Sequence, residues 1–531
     1  MTVMMQEQTD SQSIAESASP STRWSFAVAL TACFAVISAI TLARHEMWRD
    51  ELQAWLIARD SSSILDMLHA LKLEGHPPLW YLLLYGLTRL THDPRSMQVL
   101  NWFIATATVF LIARFAPFTR LQRALLAFGY YPLFEYGALS RDYGVALLAV
   151  VIACIGYRRF ERTGKALLLT IGLILMAMLT VYTLLLAGCV VFMIGCRCIW
   201  DSELRPLWLK NRIQWLAAAA VILITCAVSA LQMRPPAGSG FAVGWHTELS
   251  GVLLAKVLGT VWKAYLPIPR PTYEFWNSNI LQNKLSPLQP FMGIALLAGA
   301  IGIFRRDWRA LLLFVTGTAW ILAFEYLKYL GYTRHNGWLF VALVMSLWFL
   351  YDRQTSATNE QAAPPHWARP ALTALLAVNC AVGLFAVGMD WRFPFASGRE
   401  LATYLQTSKL ENEQIVGHWD YAASPLSAWL NKPIYFADSH NMGTYIHWDN
   451  SRTLVTDQQA ADVAIQLANQ SHKEVLLVLT PDPDTSTVPV IESAQTQLVH
   501  VFDAALVPSE RYWLYRVSPD RLIGRQTDLQ R

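Results

Sequence analysis

The sequence predicts an α-helical polytopic membrane protein of about 11 to 13 transmembrane helices, with a small C-terminal extracytoplasmic α/β domain. Composition, the length of the apolar runs and a change of pattern after residue 390 predict it. Of 531 residues, 54% are hydrophobic, only 15% are charged and 21 are Trp, whereas a soluble chain carries about 25% charged residues. The net charge of +4 is spread over short loops and forms no stripe of Lys and Arg, so nucleic acid is not a partner. All seven cysteines lie in or beside apolar runs, where a thiol behaves as a small buried hydrophobe. Cys196 and Cys198 lack a second Cys or His cluster, so neither a zinc site nor a disulfide is indicated.

A run of roughly 20 apolar residues spans a bilayer, and a run of 10 to 14 more often re-enters or lies in the interface. By that measure spans fall near 24–43, 97–114, 119–138, 142–157, 166–181, 183–199, 213–233, 288–304, 309–330, 336–351 and 370–389. The polar leader 1–23 is too long and too poor in Lys and Arg for a signal-peptide n-region, which predicts a disordered cytoplasmic N-terminus before a retained first span.

The run HPPLWYLLLYGLTRL offers about a dozen apolar positions after Pro77 and Pro78, which predicts a re-entrant or interfacial segment. With it excluded as a span, the basic clusters 114–123, 158–165, 205–212, 305–309 and Arg353 with Arg369 all fall on one side. Short cytoplasmic loops collect Lys and Arg, so that side is cytoplasmic. The other side then holds residues 44–96, the turn SRDYG at 140–144, the loop 234–287, GYTRHNG at 331–337 and everything after 390. Within that last segment, EQIVGHW, KPIYFA, EVLLVLT, LVHVF and RYWLYRV read as strands, and SGRELATYLQTSKL and DQQAADVAIQLANQ as helices. The chain thus divides into the leader 1–23, a transmembrane domain 24–389 with interfacial helices in 44–96, and a soluble periplasmic domain 390–531. The last has no Gly-rich phosphate loop or nucleophile elbow.

The stretch HEMWRDELQAWLIARD, residues 45–60, places Asp50 and Glu51 just where the chain leaves the first span. Trp48, Leu52, Trp55 and Leu56 share one helical face, which predicts a helix lying in the interface with its tryptophans at headgroup level. The helix dipole alone accounts for two acids in a first turn. The next segment repeats the design with a Ser-rich cap and an Ile64, Leu65, Leu68, Leu71 stripe, stops at Gly75 and Pro77, and delivers Lys72, Glu74 and His76 to the same side. Arg141 with Asp142, and Arg334 with His335, stand at two further junctions on that side, although the positive-inside tendency disfavours Arg there. Snorkelling arginines and a capping Asp142 would explain each junction singly. Inside the spans, Glu325 and Lys328 are expected to neutralise each other, and Glu135 is expected to be structural.

One acid region beside several cations at a lipid surface suits glycosyl transfer from a lipid phosphate. Phosphate leaves without protonation, so cations stabilise it while one carboxylate takes the acceptor's proton. Hydrolysis instead needs two carboxylates flanking the bond, a separation that adjacent residues are poorly placed to provide. The whole arrangement requires the acid doublet and the arginines to share one hollow.

In order along the chain, the Asp50–Glu51 pair after the first span, the His-Pro-Pro run at His76, the Arg-x-Tyr of Arg141 and Tyr143 and the terminal soluble domain resemble the GT-C superfamily of polyprenyl-phosphate-sugar-dependent glycosyltransferases. That class includes protein O-mannosyltransferases and the aminoarabinose transferase acting on lipid A. The resemblance implies a GT-C fold, an inverting reaction, a polyprenyl-phosphate-linked sugar as donor (undecaprenyl-type if the source is bacterial) and a glycan, lipid or protein acceptor in the cell envelope, with membrane lipids as further partners. It also implies Asp50 as catalytic acid residue with Glu51 as companion, and Arg334 as a donor-phosphate contact. His76, Arg141, Asp142, Tyr143, His335 and Lys72 are further substrate-binding candidates. Position 142 departs from the motif in being Asp, and TRHNG matches the usual basic element only loosely. Metal use varies across the superfamily, so a divalent metal stays open as a cofactor and no metal ligands are assigned. Two other classes fit part of the pattern: a glycolipid transporter, motivated by Glu135, Glu325 and Lys328 at membrane depth, and a non-catalytic polysaccharide-assembly protein using 390–531 to dock a partner. The sequence has no obvious pair of Gly/Pro-broken segments in matching halves, a common mark of transporters.

Overall fold

The computed structural model describes residues 20–202, 204–239, 244–354, 364–482 and 487–520; residues 1–19 of the expected leader lie outside them. The chain begins with α1 (Pro20–Arg44), followed by three short helices, α2 (Arg49–Asp60), α3 (Ile64–Glu74) and α4 (Leu79–Thr88). Then come α5 (Arg95–Phe115), α6 (Arg120–Ala127), a π-helical turn (Tyr130–Glu135), α7 (Asp142–Thr163), α8 (Leu167–Ala177), α9 (Val181–Trp200) and α10 (Leu204–Gln232). The helical part closes with α11 (Gly251–Tyr265), α12 (Gln289–Phe304), α13 (Trp308–Leu327), α14 (Thr333–Gln354) and α15 (Ala368–Arg392). Eight of the described helices, α1, α5, α7, α9, α10, α12, α13 and α15, are long and apolar enough to cross a membrane, so the chain is a multi-pass membrane protein. α14, 22 residues long, runs through the interior, with almost every side chain from Trp338 to Tyr351 buried.

Two expected spans differ from a plain helix. The run 119–138 is broken into α6 and the π-helical turn, because Pro132 has no N–H to continue an α-helical ladder. It still returns along α5: Arg123 Nη1 donates to Ala113 O at 2.9 Å near one end, and Asn101 Nδ2 donates to Gly137 O at 2.8 Å near the other. Irregular backbone at this depth is tolerated because Tyr130–Leu139 are buried in protein. α8 has only 11 residues, a rise of about 16 Å. The His-Pro-Pro segment stacks above it, with Leu79 N donating to Met178 O at 3.1 Å, and α4 does not cross the bundle.

The two sets of loops separate to opposite ends. One end gathers the basic clusters around buried acids: Arg197 pairs with Asp201 at 2.9 Å and with Glu161, Arg309 pairs with Asp201 at 2.7 Å, and Arg158 with Asp352 at 3.2 Å. The other end carries α2, α3, the starts of α7 and α14 and a sheet domain. That domain has α16 (Gly398–Thr407), β1 (Gln414–His418), α17 (Asp420–Ala423), α18 (Pro425–Leu430), β2 (Ile434–Phe436), β3 (Asn441–Gly443), α19 (Asp457–Ser471), β4 (Val475–Leu479), β5 (Thr496–Phe502) and β6 (Tyr512–Val517). Strand order is β3-β2-β1-β4-β6-β5; β1 pairs in parallel with β2 and β4, and the remaining pairs are antiparallel. Ala460, Ala461, Ala464 and Ala468 of α19 pack on one face, and Leu401 and Leu405 of α16 on the other.

The expected interfacial roles of the short helices are partly exchanged. α2 is buried on nearly every side, Trp55 at 0% exposure and Trp48 at 2%, because the sheet domain covers its outer face. Gln53 Nε2 donates to Ile446 O at 2.9 Å, and Arg59 Nη1 donates to Ser427 O. α3 is the helix that shows apolar side chains outward: Ile64 and Leu65 are exposed, while Met67 and Leu71 are buried. Its expected ends are present, Ser63 Oγ accepting Asp66 N at 3.1 Å and Gly75 closing it at φ +68°, a conformation that favours glycine. The Asp201→Ala variant strips Arg197 and Arg309 of a shared buried partner. It is expected to cost about 3–5 kcal/mol, read as a lowered melting temperature in detergent.

Candidate active site

Asp50 stands in the first turn of α2, and its Oδ2 is shared by two guanidinium groups. Arg141 Nη1 lies 2.5 Å away and Arg334 Nη2 3.1 Å away. Arg141 reaches it from the residue preceding α7, and Arg334 from the first turn of α14. Arg49 Nε is 3.9 Å from Oδ1. The Asp50 side chain keeps 29% exposure, against 10% and 9% for the two arginines that grip it. Burial pushes the Asp50 carboxyl up, but Arg141, Arg334 and Arg49 outweigh burial and hold it below the usual carboxylate range.

Aromatic rings frame the cations. The Arg334 guanidinium carbon is 5.1 Å from the Trp48 ring centroid, 5.6 Å from Trp276 and 5.0 Å from Tyr332, and that of Arg141 is 5.4 Å from Tyr143. Such contacts orient a guanidinium without neutralising it. Arg334 Nε is buried and has no hydrogen-bond acceptor among the described residues. His76 Nδ1 lies 2.8 Å from Glu74 O, which assigns it the proton and leaves Nε2 to accept from Arg141 Nη2 at 3.5 Å. Burial lowers the His76 pKa, with Asp142 opposing the shift and Arg141 adding to it. Asp142 Oδ1 is 3.8 Å from Arg141 Nε.

Two candidates lie outside this cluster. Lys72 is exposed on α3. His335 sits behind Tyr143, 5.9 Å between ring centroids, and its Nδ1 accepts Tyr332 N at 2.9 Å, so it supports the start of α14. Glu51 shares the junction but faces away from Asp50, as consecutive helical residues do. Glu325 takes hydrogen bonds from Thr260 and Asn336, and Lys328 lies over the Trp245 ring, which replaces the expected neutralising pair. Glu135 accepts from Tyr130 Oη and Trp276 Nε1. Among the described residues, no group of three or more His, Cys, Asp or Glu is arranged to hold a metal ion.

Several members of the site carried no sequence signal. Trp276 comes from the long loop before α12, and Glu510 from the sheet domain, where its Oε1 accepts Arg49 N at 3.3 Å while Arg49 Nη1 donates to Ser509 Oγ. Glu510 is fully buried, and burial pushes its carboxyl up to about 8. Glu74 accepts from Gln53 Nε2 at 2.8 Å, and burial, reinforced by Asp50, lifts it to about 7. Arg49 and Glu74 stood beside the chosen residues in sequence; only their neighbours' geometry distinguishes them.

Among solved structures the chain is similar to ArnT from Cupriavidus metallidurans. With the crystal structure bound to undecaprenyl phosphate it shares 13% identity at a TM-score of 0.47, covering 92% of this chain and 97% of that one. With the apo crystal structure it shares 14% identity at a TM-score of 0.38 over the same shares of the two chains. No protein-family model matches, and no curated protein matches.

The Glu74 carboxyl binds its proton more tightly in the fold, about 7 against an ordinary 4.5. Its contribution to stability is therefore present at low pH and is lost as pH rises through about 7. Glu74→Gln is expected to flatten the decline in melting temperature between pH 5 and pH 8 relative to wild type; parallel curves would contradict it.

Proposed function

We propose that the protein is a GT-C-type glycosyltransferase that moves a sugar from a polyprenyl-phosphate donor to an acceptor on the extracytoplasmic side of the inner (plasma) membrane. The observation that carries this reading is one partly exposed carboxylate, Asp50, set among Arg141, Arg334 and Arg49 at a single end of a membrane bundle. The positive-inside tendency supports reading that end, with the sheet domain that follows α15, as extracytoplasmic.

In this mechanism the acceptor hydroxyl attacks the anomeric carbon on the face opposite the phosphate, and the bond from that carbon to the phosphate oxygen breaks. Configuration inverts, and the electron pair leaves on polyprenyl phosphate. Arg141 and Arg334 take the growing charge. Asp50, ionised at neutral pH because its pKa is depressed, accepts the hydroxyl proton. Phosphate competing for the two guanidinium groups loosens their hold on Asp50 and raises its affinity for that proton. His76 and Tyr143 keep Arg141 directed at the site.

Asp50→Asn is expected to lower transfer on the order of 10² to 10⁴-fold while the protein still elutes as one folded species; a fully active variant removes the base. Mass spectrometry of envelope glycans and polyprenyl-phosphate sugars, with and without the protein, is expected to show an accumulated donor beside a missing sugar.

A further inference from the structure

Glu51 is next to Asp50 in the chain, yet both of its carboxylate oxygens are occupied inside the fold. Oε1 accepts Ser140 N at 2.6 Å, and Oε2 accepts Trp48 N at 3.1 Å and lies 3.2 Å from His45 Nε2. Ser140 immediately precedes Arg141. One carboxylate therefore ties the residue after Asp50 to the residue before the arginine that grips Asp50. Behind it, His45 Nδ1 lies 3.1 and 3.0 Å from the two oxygens of Asp390 in the last turn of α15. All three side chains have 0% exposure. Both ring nitrogens face carboxylates, an arrangement that an imidazolium satisfies by donating at each. Burial pulls the His45 pKa down, but Asp390 and Glu51 outweigh it and lift it to about 10. The backbone is held too, since Gln98 Nε2 donates to His45 O at 3.2 Å.

A buried ion triad is a weak source of net stability, because desolvation offsets most of the attraction, but its hydrogen bonds fix geometry. We infer that His45 and Asp390 are positioning residues that act through Glu51 to set the distance between Asp50 and Arg141. Glu51 is then a strut between the two reacting segments and touches neither substrate nor leaving group. The catalytic consequence rests on the glycosyl-transfer reading; the strut is a property of the fold alone.

Two measurements on the full chain in nanodiscs test this. Hydrogen exchange is followed by mass spectrometry on a peptide carrying Ser140 in Glu51→Ala, Glu51→Gln, His45→Gln and Asp390→Asn. Loss of the Glu51 acceptor is expected to speed exchange at that amide about tenfold. His45→Gln and Asp390→Asn should fall between that and wild type, and Glu51→Gln, which keeps an acceptor oxygen, nearest to wild type. The second readout is the acid limb of kcat/KM for transfer, set by Asp50 among Arg49, Arg141, Arg334, Glu74 and Glu510. In Glu51→Ala and His45→Gln it is expected to move up by about one pH unit as Arg141 loosens, with kcat lowered on the order of tenfold to a hundredfold. Unchanged exchange in Glu51→Ala overturns the strut. Faster exchange with an unmoved acid limb overturns its catalytic role. A Glu51→Gln variant as inactive as Asp50→Asn makes Glu51 a reacting group and also overturns the inference. If wild-type protein transfers sugar from no polyprenyl-phosphate donor, the enzymatic reading fails, and the exchange result alone still decides the strut.

Discussion

Arg141 and Arg334 meet on a single oxygen of Asp50, from positions 91 and 284 residues away in the chain. A guanidinium or carboxylate left unpaired in a poorly hydrated interior costs several kcal/mol, so α2, α7 and α14 have to bring their ends together before any of these groups can be buried. The same pairing fixes the height at which α2 sits on the bundle. Everything that covers α2, including the sheet domain, is placed relative to it.

The balance of charge around that pairing follows from which carboxyls are ionised. Asp50 is held low by its arginines, whereas Glu74 and Glu510 are pushed up to about 7 and about 8, chiefly by burial. Near neutral pH the sheet domain therefore brings a largely protonated Glu510 to the junction, and Arg49, Arg141 and Arg334 retain an excess of positive charge over Asp50. Asp142, 3.8 Å from Arg141, offsets part of that excess, and the rings of Trp48, Trp276 and Tyr332 frame the Arg334 guanidinium. The adjacent acids divide two tasks. Asp50 faces the partly exposed cluster, and Glu51, turned inward, is used up by Ser140, Trp48 and His45.

Much of this was legible in the sequence where a pattern is local. Apolar runs and basic loops located the helices and separated the two ends, and period-two alternation located β1, β2, β4, β5 and β6. β3, only three residues long and exposed at the sheet edge, carried too little pattern to be read. The break at Pro132 and the shortness of α8 were hidden because hydropathy measures apolarity and not backbone continuity. At the site, Arg141 and Arg334 stood out as arginines against the positive-inside tendency, and Asp50 as half of an acid pair just after the first span. Lys72 was a candidate because α3 stops just after it, yet it is exposed. Trp276, Glu510, His45 and Asp390 were unreadable because their roles depend on contacts across long separations, 461 residues for the Arg49–Glu510 contact and 345 for His45–Asp390.

The position of the cluster constrains what reaches it. α3 carries Ile64 and Leu65 outward, and the segment leading into α11 exposes Trp245 and Leu249, with Val252 exposed in the first turn of α11. Large apolar side chains left outward around a polar centre suit an interface where headgroups end and hydrocarbon begins. Under the proposed function, such a rim suits a lipid-linked phosphate better than a soluble sugar nucleotide, because the tail of the former stays in hydrocarbon while its headgroup reaches the polar cluster. Asp50 itself keeps partial contact with solvent, 29% of its side chain, while its two arginines are nearly buried. On that proposal a single carboxylate gripped by cations suffices, since the cations stabilise the departing phosphate and the carboxylate takes the proton.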